Sequence, residues 1–168
     1  NCVYDFFELT VLNMAKKGLL GDIVYAEGGY IHQLEDFWNA YEGDWRMAFN
    51  KTHRGDIYPT HGMGPACQIL NIHRGDKMNY LVSMDATPKS IPEWLKANRG
   101  EEVSDFQNGQ HTLTLIRTEL GRTIEMHHDV ATHLDLIAAS IISQVLRGMP
   151  LNTQCLCSPL RGNRYCLL

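Results

Sequence analysis

What this sequence lacks narrows it quickly. No apolar run reaches the roughly 20 residues needed to cross a bilayer. The most apolar stretch, residues 134–146, is interrupted by Asp135, Ser140, Ser143 and Gln144. Nowhere do four Lys and Arg cluster, and the net charge is -4, so a nucleic-acid surface is not the organising feature. No G-x-G-x-x-G follows a first strand, which removes the commonest way for a chain to cradle a dinucleotide unaided. Internal repeats are missing too. No signal-peptide pattern opens the chain. It begins at Asn1 and runs straight into an amphipathic pattern, the expectation for a chain entered partway through a larger protein. The compartment stays open, because any export signal would lie upstream.

Cysteine is present but unpatterned. Five residues, Cys2, Cys67, Cys155, Cys157 and Cys166, form an odd set in a chain that is not small, which argues against a disulfide framework. Cys155, Cys157 and Cys166 fit no strong zinc spacing, so free thiols are the reading.

The remaining composition is ordinary. With 168 residues, 44% apolar and 20% charged, the chain suits one soluble domain with a genuine core. Residues 4–19 carry a broad apolar face and read as a helix, with Gly21 the better C-cap. Residues 22–31 alternate and are β-branched or aromatic, so they read as a strand. Gly28 and Gly29 near its end permit a bulge or a close backbone approach. Residues 32–51 read as a long aromatic loop, and a helix is expected over 66–72. A short strand at 79–84 and a short helix at 92–97 interrupt an otherwise irregular stretch. The alternating runs 111–119 and 123–129, split by Leu120, Gly121 and Arg122, read as a hairpin. A further helix is expected over 131–146. The sum is an α+β fold: an open, mainly antiparallel or mixed sheet with helices on one face.

Several strings resemble a known family. They are N-C-V-Y at 1–4, V-L-N-M-A-K-K-G-L-L-G-D-I-V at 11–24, A-E-G-G-Y at 26–30, W-R at 45–46 and Y-P-T-H-G-M-G-P at 58–65. They continue with N-I-H-R-G-D at 71–76, N-Y-L-V-S-M at 79–84 and G-R-T-I-E-M-H-H-D-V at 121–130. Together they resemble the carboxyl-terminal domain of glycoside hydrolase family 109, within the Gfo/Idh/MocA oxidoreductase superfamily. The resemblance implies an NAD-dependent α-N-acetylgalactosaminidase that oxidises the sugar at C3, eliminates, adds water and reduces again. NAD is then the cofactor, a small sugar the substrate, and an amino-terminal Rossmann domain the missing partner. Such chemistry dispenses with the paired carboxylates of ordinary glycosidases, and no such pair stands out here.

The same resemblance selects the site. His61 is the first proton-transfer candidate, since imidazole both gives and takes protons near neutral pH. The bland alternative is a helix-start histidine bonded to backbone. Tyr58 would approach both cofactor and sugar; otherwise it is a half-buried aromatic beside Pro59. Pro59 and Thr60 belong to the same turn. Tyr30 and Arg46 would contact substrate, against the plainer readings of a sheet-edge aromatic and a surface ion pair. Asn1 would lie near the nicotinamide. His127 and His128, adjacent in a strand, should face opposite ways and not ligate one metal.

After Val130 the resemblance ends. Relatives continue with a proline–tyrosine stretch, whereas here no Tyr occurs from Ala131 until Tyr165. Residues 1–130 are thus expected to form an incomplete substrate-binding domain and 131–168 a divergent tail, with the isolated chain inactive. Two alternatives stand beside this reading. One is an NAD(P)-dependent sugar or polyol dehydrogenase, but its Asp-x-x-x-His pattern fails, because Ile57 stands four residues before His61 and Asp56 five. The other is a non-catalytic module forming a homo-oligomer through its sheet.

Overall fold

A computed structural model describes residues 2–40 and 43–131 of the chain. Asn1, the tail cysteines and the helix expected over 131–146 lie outside the described residues. A 3-10 turn at Cys2–Tyr4 leads into helix α1, Phe6–Lys16. Strand β1 follows at Tyr25–Ile31, then a 3-10 turn at Glu35–Phe37 and helix α2 at Trp45–Thr52. Helix α3 spans Thr60–Ile69, β2 Met78–Asp85 and α4 Ser90–Arg99. The hairpin β3, His111–Thr118, and β4, Thr123–Asp129, completes the set.

The four strands form one sheet in the order β1-β4-β3-β2. β1 runs parallel to β4, while β4–β3 and β3–β2 are antiparallel. The sheet is therefore mixed and open, in an α+β domain. Strand periodicity puts Ala26, Gly28 and Tyr30 of β1 on the same face as Ile124, Met126 and His128 of β4. α1 and α3 cover that face. Val11, Leu20, Ala66, Ile69, Leu70, Ile116, Ile124 and Met126 make its core. Each fully buried side chain, Leu70 or Ile124 for example, contributes about 1.5–3 kcal/mol by leaving water. A second core gathers Trp38, Met47, Trp94, Leu95, Phe106 and Val130 beyond the end of the sheet. Trp38 belongs to that core, edge-on to Trp94.

Local chemistry explains where elements stop. α1 ends before Gly18, not Gly21. Gly18 adopts φ +69°, its amide bonds the Ala15 carbonyl, and the Leu19 amide bonds the Met14 carbonyl. That pair of bonds is the Schellman closure, and a left-handed residue makes it possible. α3 closes the same way through Asn71 at φ 55°, with the Ile72 amide on the Cys67 carbonyl.

The segment expected to be a long loop holds α2. Asp44 caps it by accepting a hydrogen bond from the Arg46 amide. α3 begins six residues earlier than its apolar pattern suggests, despite Gly62, Gly64 and Pro65. Packing overrides propensity here. Gly62 lies directly on Gly28 and Gly29 of β1. A Cβ on Gly28 would sit 2.6 Å from the Gly62 carbonyl oxygen, and one on Gly62 would overlap the Gly29 amide nitrogen. The two elements meet backbone to backbone.

Below α3, the buried Asp76 ties the loop to the hairpin, accepting from the Lys77 and Leu120 amides at 2.8 and 3.1 Å. No element among the described residues covers the other face of the sheet, which is bare in that sense. Tyr80, Val82 and Met84 of β2 are 60%, 59% and 68% exposed, beside Leu115 of β3.

Gly28→Ala should lower the unfolding free energy by about 1–3 kcal/mol, the cost of overpacking a rigid contact. Urea titration of the chain checks this. An unchanged midpoint would mean that the helix can back away from β1 freely.

Candidate functional site

The parallel pair β1–β4 sets Tyr30 opposite His128 near the ends of both strands. The close approach of α3 then brings the first helical turn down beside Tyr30. The Tyr30 and His61 rings lie 4.9 Å apart, centre to centre, and Tyr30 and Tyr58 4.6 Å apart. Tyr58 and His61 are 6.4 Å apart at a steep angle. All three side chains are half-buried, so together they form a contiguous aromatic wall with an open side. Pro59 caps α3 and is half-buried, and Thr60 opens the helix with its side chain exposed.

Tyr58 is held from behind by a polar chain. The Asp56 carboxylate accepts the Tyr58 amide at 2.7 Å. Burial pushes the Asp56 carboxyl up to about 6. Asn108, fully buried, donates from Nδ2 to the Gly55 carbonyl and from its amide to the Asn50 carbonyl of α2. Arg46 sits at the edge of the wall. Its guanidinium lies 2.8 Å from Asp44 and 4.7 Å over the Trp45 ring, and the Asp44 and Tyr58 side chains both favour its charged form. The surface ion pair and the reach toward Tyr58 thus coexist in one residue.

Two further residues join the site that sequence reasoning did not nominate. Cys2 Sγ lies 3.2 Å from His61 Nδ1. A single cysteine in a turn carries no pattern, and only the shared string at 1–4 pointed near it. His128 is fully buried, with its ring 5.9 Å from Tyr58 and 6.3 Å from Tyr30. Neither ring nitrogen has a hydrogen-bond partner among the described residues. Its neighbour His127 points the other way, to the bare face, where it pairs with Glu125 at 2.9 Å. Burial holds both site histidines neutral at pH 7. It lowers His61 and takes His128, the more enclosed of the two, down to about 4.

Among the described residues no group of three His, Cys, Asp or Glu is arranged to hold a metal. No described helix is long and apolar enough to cross a membrane. Two shallow clefts, of about 300 Å³ beside Asp76 and Leu120 and about 130 Å³ beside Asp22 and Arg122, lie away from the aromatic wall. For a dinucleotide, the described residues offer no phosphate cradle. They do offer a partly exposed ring surface, which fits the flat face of a nicotinamide or a sugar.

Solved structures share this architecture. A scyllo-inositol dehydrogenase from Lactobacillus casei, bound to NAD(H) and scyllo-inositol, superposes with a TM-score of 0.55. The match covers 84% of this chain and 37% of that one, at 11% sequence identity. A myo-inositol dehydrogenase from the same organism gives 0.52 over 96% of this chain and 40% of its own, also at 11% identity. The chain therefore has the fold of the Gfo/Idh/MocA carboxyl-terminal domains. Within that class it belongs to a particular family: residues 4–134 match the glycosyl hydrolase 109 C-terminal domain. Curated relatives agree. A glycosyl hydrolase family 109 protein of Bacteroides fragilis (strain YCH46) is 63% identical over 132 residues. Those of Bacteroides thetaiotaomicron and Porphyromonas gingivalis are 60% and 58% identical over the same length. Each alignment covers 79% of this chain, which spans 28% of each relative.

Stability should fall as pH drops from 6.5 to about 4 through His128, because the unfolded chain binds a proton there that the folded one refuses. The full effect is about 3 kcal/mol. Asp56 works the other way between about 6 and 3.8, since its folded carboxyl keeps a proton that the unfolded one releases. His128→Gln should therefore flatten the acid side of the stability profile and Asp56→Asn steepen it, as read by urea midpoints across pH 4–7. Parallel profiles for wild type and His128→Gln would show that His128 is not held neutral.

Proposed function

We propose that this domain is the sugar-facing half of an NAD-dependent glycosidase that hydrolyses α-N-acetylgalactosaminides. Tyr30, Arg46, Tyr58, Pro59, Thr60 and His61 face the sugar, while Tyr58 and His61 move protons. Asn1 and Tyr58 border the cofactor, whose phosphates are bound by a separate Rossmann domain. Residues 1–130 form the substrate domain and 131–168 a tail outside it. The reading is supported by membership of the glycosyl hydrolase 109 family. The observation that carries it is the half-open Tyr30–Tyr58–His61 wall with Arg46 at its rim.

When bound, NAD supplies a reversible hydride sink at the sugar C3, which acidifies the proton on C2. The protein must then do three things. It must orient the ring, and the Tyr30 and Tyr58 faces present an apolar surface for that. It must also fix hydroxyl groups, for which Arg46 supplies planar, permanently charged donors. Finally it must move protons: elimination takes hydrogen from C2 and breaks the C1–oxygen bond, and water then restores both valences. A neutral imidazole on His61 and the Tyr58 hydroxyl are the groups suited to that exchange. Because the wall is open on one side, enclosure depends on a second domain closing over it. Without that closure water is not excluded and the reacting groups are not preorganised.

The test uses this domain joined to a dinucleotide-binding domain, with an aryl α-N-acetylgalactosaminide in heavy water. N-acetylgalactosamine should be released only with NAD and carry deuterium at C2. His61→Ala should cut kcat by about 10²–10⁴ while the fold is kept. Release without deuterium at C2 points to direct displacement and sinks the mechanism. Hydride transfer without hydrolysis favours the dehydrogenase alternative.

The bare sheet face supports a second component of the same reading, a second copy of this chain packed on it. Tyr80, Val82, Met84 and Leu115 lie exposed on neighbouring strands of one sheet face, the kind of apolar surface that marks an association site. Val82→Glu should halve the mass seen by light scattering at a given concentration. A wild-type chain that stays monomeric at high concentration overturns the dimer.

A further inference from the structure

Cys2 and His61 are 59 residues apart in the chain, yet sulfur and ring nitrogen meet at 3.2 Å. The contact is built from two elements. The 3-10 turn at Cys2–Tyr4 packs against α3, and His61 stands in the first turn of that helix. Cys2 is 8% exposed. With Nδ1 occupied by the thiol, only the Nε2 side of the ring is left for the open side of the wall. We infer that Cys2 is a positioning residue, whose thiol donates its proton to His61 Nδ1 and so holds the imidazole in the tautomer that carries hydrogen on Nε2.

The direction of this bond follows from the chemistry of the two groups. A thiol is a weak donor and its sulfur a weaker acceptor, whereas an imidazole nitrogen accepts well. The charged alternative, thiolate facing imidazolium, is disfavoured on both sides. Burial raises Cys2, and the carboxylates of Asp5 and Glu8 raise it further; burial lowers His61, against a small opposite pull from Asp5. The Tyr30 ring of β1 and the Tyr58 ring are packed beside the imidazole, 4.9 and 6.4 Å away centre to centre. Two neutral partners then share one proton, and it resides on sulfur. This deepens the proposed function and rests on it for its consequence. His61 meets the sugar as a neutral hydrogen-bond donor through Nε2, and it takes a proton there only from the other tautomer, with hydrogen on Nδ1, which costs the bond to Cys2.

The experiment needs no sugar, nucleotide or turnover. Nitrogen-detected NMR of the chain with ¹⁵N-labelled histidine reports which nitrogen of His61 bears hydrogen, and a pH titration gives its midpoint. The wild type should show an unprotonated, hydrogen-bonded Nδ1. Cys2→Ala should shift the Nδ1 resonance and raise the midpoint by up to about one unit, because the donor that favoured the neutral ring is gone. Cys2→Ser, which keeps a donor, should restore much of the wild-type behaviour. Hydrogen on Nδ1 in the wild type, or a midpoint that falls in Cys2→Ala, would mean that sulfur accepts, and overturns the inference. The wild-type spectrum alone decides this if a variant fails to fold. Failure of the glycosidase assay would leave these signals unmoved, so the two claims fall separately.

Discussion

The structure depends on one contact without side chains. Gly28 and Gly29 of β1 and Gly62 of α3 touch through their backbones, and any Cβ there would overlap its neighbours. Helices normally pack at a distance set by side chains. Here the helix comes down to the sheet, and everything on its first turn comes with it. His61 reaches Tyr30 only because residue 62 has no side chain. The intrinsic cost of glycine and proline in a helix is offset by burial of Ala66, Ile69 and Leu70 on the same helix.

That contact also governs the electrostatics. The site is walled by β1, α3 and the turn at residues 2–4, which together dry the His61 and His128 rings and hold both neutral. His128 is a buried polar group without a partner among the described residues, and such groups cost stability. A cost of this kind is more common at functional sites than in plain cores. Its ring lies against Tyr30 and Tyr58, the two rings that present the apolar surface proposed for the sugar. The bare sheet face is chemically separate. There Tyr25, Glu27, Glu125 and His127 bond among themselves, so alternation along β4 sends one histidine into the site and its neighbour away from it.

Much of this was legible in the residues. Alternation in 111–129 marked the hairpin, and alternation also separated His127 from His128. The strings around Tyr30 and residues 58–61 nominated the aromatic wall, though not its geometry. What escaped did so for physical reasons. α2 is short and carries Trp, Arg and Asn in place of a clear apolar stripe; its one signal was Asp44 in the cap position. The first turns of α3 contain the residues least suited to helices, and only tertiary contact with β1 explains them. Gly18 and Gly21 are equivalent as letters, and the Schellman bonds decide between them. Cys2 gave no hint of its partner, because a contact across 59 residues leaves no local trace.

The measurement that tests the central claim most directly is a crystal structure of this domain joined to a dinucleotide-binding domain, with NAD and N-acetylgalactosamine bound. The account predicts the sugar ring against Tyr30 and Tyr58, with a ring hydroxyl on Arg46 and Nε2 of His61 toward the anomeric side. A sugar seated elsewhere, in the cleft beside Asp76 and Leu120 or on the bare sheet face, would contradict it.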